Sequence, residues 1–366
     1  LRIKRSAVFL ILIILLIFSK ALDCDETFKT KYEFTGFPQV AYTEETGIIG
    51  GGITFFRFYN PDKFPDIPKN SITFSARYSQ KKQFYALLEP NVYFQDGKQQ
   101  LTLSLNYKNW PSTFYGIGNH SSENDAEDYT AEEIDLTIKW RKKIWQNWSS
   151  ALLYEYDYFL TKKTEETGLL NSKDIHGSSG KNIVSGFGFG FICDSRDNEN
   201  FPSQGNLNNL EIFYFHHKLG SEFDFVRTLI DLRHYHRLAP KHILAFQGVF
   251  SYLFADPPFY KLIKLDDYLR AMTTDLFIDK GISAVRMEYR FFPFSAKFLN
   301  RFGFVLFLES GQVAKELQAY AINEFKISYG LGFRFSLFTD DIFNLRFDIG
   351  FGEGLTNFQA SGGESF

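Results

Sequence analysis

Residues 327–337 read ISYGLGFRFSL, and the order of residue types in that stretch decides the fold. Ile327, Tyr329, Leu331, Phe333, Phe335 and Leu337 fall on one face of an extended chain, and Ser328, Gly330, Gly332, Arg334 and Ser336 on the other. Successive side chains of a strand point to opposite faces, so a period of two marks a strand and not a helix. In a soluble sandwich the polar face would meet water and the apolar face a core. Here the apolar face is almost wholly large and the polar face is mostly Gly, Ser and Arg. That suits a wide barrel with lipid outside and a wet lumen inside. Residues 345–352 repeat the arrangement, with Leu345, Phe347, Ile349 and Phe351 alternating with Arg346, Asp348, Gly350 and Gly352. The stretch GFGFGF at 186–191 is its extreme form. Phe187, Phe189 and Phe191 are expected in lipid, with the glycines between them leaving lumen room for a loop.

Working outward, the same period runs from about residue 38 to the end of the chain. It predicts strands at 38–44, 48–59, 68–79, 82–96, 99–109, 127–142, 146–161, 181–194, 206–217, 222–237, 241–253, 282–293, 300–312, 324–337, 343–352 and 356–366. The total, about sixteen, is even, as single-chain outer-membrane barrels require. Long links at 110–126, 162–180, 254–281 and 313–323 contrast with short ones at 95–98, 239–241 and 339–341. Long external loops and short periplasmic turns are the expected asymmetry. The fold class is therefore all-β, a transmembrane antiparallel β-barrel over 38–366, placed in a bacterial outer membrane with the lipid bilayer as its first partner.

Composition agrees. The 366 residues include 43 Phe and 20 Tyr, yet mean hydropathy is only −0.21. Alternating lipid-facing and lumen-facing residues average out in this way. A net charge of −3 offers no basic footprint, so no nucleic-acid partner is expected. Arg2, Lys4 and Arg5, the apolar run Ala7 to Phe18 and the small residues of Ser19-Lys20-Ala21 predict a signal peptide over 1–21. A short periplasmic leader over 22–37 would come next. Cys24 and Cys193 are too few for a disulfide framework.

Candidate chemistry is sparse. Asp194, Arg196 and Asp197 bunch ahead of Pro202 and Gly205, which reads as a solvated turn motif and not as a catalytic or metal cluster. His216 and His217 are adjacent, and on a strand they would face opposite sides. His120 and Ser122 fall in a polar loop. The expectation is a protein that is not an enzyme, with no catalytic residue, cofactor or metal.

The residues resemble a family. YTEETG at 42–47, FYGIGN at 114–119, CDSRDNENFPSQG at 193–205 and the tail with YGLGFRFSL, LRFDIGFG and GGESF are similar to the barrel domain of the BamA/TamA outer-membrane assembly proteins, the bacterial surface antigen family. The resemblance covers about residues 38–366. It implies a role in outer-membrane protein assembly or translocation, with unfolded outer-membrane or exported proteins as clients. The alternative function is a passive pore or structural barrel. It also implies that the longest loop enters the lumen carrying a (Val/Leu)-Arg-Gly-(Tyr/Phe) motif. Here that motif reads Leu269-Arg270-Ala271-Met272, so Ala271 and Met272 stand where the family has Gly and an aromatic. Arg270 would lock the loop through Glu288 and Glu309. A labile seam between the first and last strands would involve Pro38, Gly362, Gly363 and the terminal aromatic Phe366. Because 22–37 is short, this reading expects no POTRA domain and a separate periplasmic partner for client capture.

Overall fold

The computed structural model describes residues 30–43, 47–59, 67, 69–163, 168–172, 175–294, 296, 299–336 and 344–366. The signal peptide expected at 1–21, most of the leader and the turn at 339–341 lie outside them. Strand follows strand: Lys31–Thr43 (β1), Gly47–Tyr59 (β2), Asn70–Ser79 (β3), Phe84–Phe94 (β4), Gln99–Phe114 (β5), Glu127–Trp145 (β6), Trp148–Lys163 (β7), Lys181–Asp194 (β8), Gly205–Phe215 (β9), Phe225–Ala239 (β10) and His242–Ala255 (β11). Two short strands, Ile263–Lys264 (β12) and Ile278–Asp279 (β13), interrupt the series. Gly281–Phe291 (β14), Phe302–Ala314 (β15), Lys326–Ser336 (β16), Asn344–Gly352 (β17) and Leu355–Gly362 (β18) complete it.

Sixteen of these strands form a single sheet in chain order, from β1 at one edge to β18 at the other, while β12 and β13 pair only with each other. Neighbours are antiparallel throughout, as between β14 and β15 or β17 and β18. Among the described residues no pairing joins β1 to β18. No helix among them is long and apolar enough to cross a membrane.

The alternation read from the sequence sorts the side chains. Phe187, Phe189 and Phe191 are 56%, 52% and 40% exposed on the outer face. Leu306, Leu308, Tyr329 and Leu331 are exposed on the same side of neighbouring strands. An apolar surface continuous across many strands far exceeds what a soluble monomer exposes, and lipid is the solvent that suits it.

Three departures from the sequence reading bear on the lumen and the sheet edges. β1 begins at Lys31, so residues 31–37, expected in the leader, are strand; Tyr32 and Phe34 continue the outward alternation, Phe37 falls on the opposite face, and the segment pairs with β2. At the other end β18 stops at Gly362, and residues 363–366 leave the sheet. The room beside the GFGFGF glycines is filled by the next strand and not by the loop carrying Arg270. A Cβ on Gly186 would lie 2.5 Å from the Phe215 ring, and one on Gly188 2.9 Å from the Phe213 ring. Phe213 and Phe215 point inward and join a buried cluster with Leu253, Phe259 and Leu262. Gly188→Leu should therefore overpack this wall and cost about 1–3 kcal/mol. A lowered midpoint of heat-modifiable gel migration checks it, and an unchanged midpoint would mean that the glycines are not needed for space.

Candidate functional site: an arginine–carboxylate network in the lumen

The longest link, residues 256–280, folds into the barrel. Its apolar residues decide this. Leu265, Leu269, Met272, Leu276 and Phe277 bury against Ile282, Ala284 and Val313 of the wall. Phe259 and Leu262 bury against the cluster around Phe213. The β12–β13 pair and the turn at Leu265–Asp267 satisfy part of the loop's backbone. The buried apolar side chains hold Arg270 in place, 3% exposed, facing strands β14, β15 and β17.

Around Arg270 the carboxylates converge. Its Nη1 lies 2.8 Å from Glu288 Oε1 and 2.9 Å from Asp348 Oδ2. Its Nε donates to Glu309 Oε1 at 2.8 Å, and its backbone N–H donates to Glu309 Oε2 at 2.7 Å. The guanidinium also sits 3.6 Å from the centroid of the Phe307 ring. Strand periodicity places these partners, because Glu288 on β14, Glu309 on β15 and Asp348 on β17 all occupy lumen-facing positions. Glu288 and Glu309 are fully buried. A planar guanidinium matches such acceptors in direction, which an ammonium does not. The structure thus brings Arg270, Glu288 and Glu309 together and adds Asp348, which the sequence reading placed on the polar face without a role.

Ala271 fits where the family has Gly. It is not among the residues with positive φ, so the position requires no glycine conformation. Its N–H donates to Ser328 Oγ at 3.1 Å, and space for its Cβ comes from Gly350 opposite.

The network extends to the end of the chain. Gly363 adopts φ +81°, a region that favours glycine, and turns residues 364–366 inward. Arg286 binds Glu309 at 3.0 Å and donates to Ser365. Arg290 binds Glu288 at 2.8 Å and donates to the Phe366 carbonyl at 3.0 Å. Arg334 binds Asp348 and, at 3.0 Å, Glu364. Arg346 lies 3.4 Å from Asp348. Phe366 is buried against Tyr235 and Ala245. The expectation that the last strand runs to Phe366 is corrected: the strand ends at Gly362 and the tail lies in the lumen, held there by arginine donors and an apolar pocket. Pro38 lies in mid-strand on edge strand β1, opposite Gly52, where a missing N–H is tolerated. Gly362 closes β18 opposite Leu345.

One further tie links loop and edge. The Arg270 carbonyl accepts from Asn357 Nδ2 at 3.0 Å and Gln359 Nε2 at 3.2 Å, both on β18. The same residue therefore holds three wall strands through its side chain and the edge strand through its backbone. Arg286, Arg290, Glu364, Asn357 and Gln359 were not singled out from sequence. The lumen-facing alternation of Arg286, Arg290, Asn357 and Gln359 was visible, but their partners are far along the chain; Glu364 is in phase with the outward Phe358 and reaches the lumen only through the turn at Gly363.

The turn motif forms a separate cluster at the short-turn end. Asp194 accepts from the N–H and guanidinium of Arg196, with Nη2 at 2.8 Å. Asp197 Oδ1 accepts the Ser203 N–H at 2.8 Å, and its Oδ2 pairs with Arg237 at 2.9 Å. Burial pushes the Asp197 carboxyl up, but the bonds from Ser203, the Gln204 amide and Arg237 outweigh it and hold it below the usual carboxylate range. Pro202 is buried, and a Cβ on Gly205 (φ +103°) would lie 2.2 Å from the Ser195 carbonyl oxygen.

His216 and His217 do not sit on opposite faces as expected. The strand ends at Phe215, His217 opens a turn, and their ring centroids are 3.9 Å apart beside Asp224. His216 Nδ1 accepts the Lys218 N–H, so its neutral ring keeps its proton on Nε2 and offers no lone pair towards Asp224. His120 meets Glu324 at 3.0 Å, whereas Ser122 Oγ accepts the Asn124 N–H.

Residues 69–268 match the Omp85 superfamily domain. No curated protein matches the chain in sequence. Among solved structures it is similar to BamA from Haemophilus ducreyi lacking POTRA domains 1–3, with 12% identity, TM-score 0.59, and coverage of 92% of this chain and 70% of that one. It is also similar to CdiB from Escherichia coli, at 10% identity and TM-score 0.59, covering 91% of this chain and 61% of that one. CdiB from Acinetobacter baumannii is similar at 10% identity and TM-score 0.52, covering 92% of this chain and 65% of that one.

Proposed function

We propose, from the premise that this chain belongs to the Omp85 superfamily, that it is an outer-membrane barrel that assembles or translocates protein clients through the edge between β1 and β18. It works by holding and releasing strands, without chemistry. Clients are unfolded outer-membrane or exported proteins, and a separate periplasmic partner delivers them. The single observation that carries the reading is Arg270, whose side chain binds β14, β15 and β17 and whose carbonyl binds β18. Displacing the loop would strip the edge strand of three side-chain hydrogen bonds, to the Arg270 and Met272 carbonyls, and loosen it for pairing with an incoming strand. Strand addition to an open edge is a general mode of peptide capture.

The test is a tether. Cysteine pairs scanned between β1 and β18, with Cys24 and Cys193 replaced by Ser, should block insertion of an unfolded barrel client into liposomes when oxidised and restore it when reduced. Insertion that is indifferent to the tether sinks the seam mechanism. Large steady ion conductance with no client insertion would instead favour a passive pore.

A further inference from the structure

The 195–204 segment makes contacts that no plain turn between β8 and β9 would need. Glu199 Oε2 accepts from the Tyr93 hydroxyl at 3.1 Å, and Glu199 Oε1 from Arg141 Nη2 at 3.4 Å. In the other direction the Phe201 ring stands edge-on to Phe292, with centroids 5.0 Å apart, and Asp197 holds Arg237. Tyr93 lies on β4, fourth in the sheet, and Phe292 directly follows β14, twelfth in the sheet. The segment leaves from between the eighth and ninth strands and so reaches walls eight strands apart. In a sixteen-stranded barrel those walls face each other across the mouth.

The segment is also built to keep one shape. Asn198 Oδ1 accepts the N–H groups of Asn200 and Phe201, each at 2.8 Å, and Arg196 Nη1 donates to the Glu199 carbonyl at 3.1 Å. Phe292 is fixed in turn, since its ring fills the space above Gly303 and its N–H donates to the Lys241 carbonyl at 3.0 Å. Above lies a lumen that is still hollow: a cavity of about 320 Å³ is lined by Lys108, Glu133, Asp135, Glu155, Asp157 and Lys261.

We propose that residues 195–204 form a lid across the short-turn mouth of the barrel, latched on one side by Glu199 to Tyr93 and Arg141 and on the other by Phe201 to Phe292. The lumen is then closed at two levels, by the Arg270 loop within and by this lid below. That the lid faces the periplasm rests on the orientation expected from loop length; the closure does not.

Thiol access tests it. In the chain with Cys24 and Cys193 replaced by Ser, Ser104→Cys places one thiol on the lumen face of β5, the face that Lys108 also occupies. A bulky hydrophilic maleimide should label it slowly in the parent. Tyr93→Phe, Glu199→Ala and Phe201→Ala should each speed labelling by about tenfold, the population change that loss of one charge-assisted hydrogen bond or ring contact produces. Tyr93→Phe deletes only a hydroxyl, so it keeps the proposal falsifiable if the others fail to fold, as judged by heat-modifiable migration. Fast labelling of the parent, or rates unchanged in folded Tyr93→Phe and Phe201→Ala, overturns the lid. The assay contains no client, so its outcome is independent of whether the barrel inserts or translocates proteins.

Discussion

Arg270→Ala is expected to destabilise the folded barrel by about 3–5 kcal/mol, the usual result of removing one partner from a buried ion pair. Glu288, Glu309 and Asp348 would be left without their shared counter-charge, although Arg286, Arg290 and Arg334 still reach them. The loop should be affected more than the wall. With its central anchor gone, residues 256–280 rely on the apolar packing of Phe259, Leu262, Leu265, Leu269, Met272, Leu276 and Phe277 and on the Lys261 pairs with Glu155 and Asp157. Limited proteolysis should cut within 256–280 while the strands survive, and the midpoint of heat-modifiable migration should fall. Arg270→Lys keeps the charge but loses the planar fork, and should sit between parent and Ala. A loop as protease-resistant in Arg270→Ala as in the parent would show that apolar packing holds it, with Arg270 a passenger.

Glu288→Gln should have a comparable effect with a different distribution. Glu288 faces Arg270 and Arg290 at 2.8 Å each and Arg334 at 3.8 Å. Among the described residues the network sets five guanidinium groups, of Arg270, Arg286, Arg290, Arg334 and Arg346, against four carboxylates, of Glu288, Glu309, Asp348 and Glu364. Removing one negative charge from among these guanidinium groups raises their mutual repulsion as well as losing attraction. Arg290 also holds the Phe366 carbonyl, so loop and tail should loosen together. Hydrogen exchange should accelerate in both 268–272 and 363–366. Phe366→Ala should accelerate exchange in the tail and leave 268–272 unchanged. Loosening confined to the loop in Glu288→Gln would separate the two and remove the tail from the mechanism.

A cluster of this kind is a poor source of net stability, because burying charges carries a desolvation penalty that can exceed the attraction. Its effect is on which arrangement forms. Apolar side chains could pack the loop in several registers, whereas a guanidinium between three carboxylates accepts one.

The wall was legible because its signal is local. Phe187, Phe189 and Phe191 alternate with glycine, and lipid on one side of a strand rewards that alternation whatever the neighbours are. The same rule put Asp348 on a lumen-facing position, while Glu288 and Glu309 were named through the resemblance. Resemblance, not periodicity, pointed to Arg270, and periodicity could not say which acids would meet it. The tail escapes a local reading for the same reason. Residues 356–366 look like one strand, but Gly363 turns the chain and distant arginines capture residues 364–366.

The sequence by itself determined that this chain is an all-β outer-membrane barrel of about sixteen strands with one long loop. A period of two needs only the backbone and the solvent on each side. The tertiary structure alone decided that β1 starts at Lys31, that Phe213 and Phe215 take the space beside the glycines, that Phe366 turns inward, and that 195–204 reaches opposite walls. Each of these depends on residues far apart in sequence meeting across the lumen, and local alternation carries no information about which of them will meet.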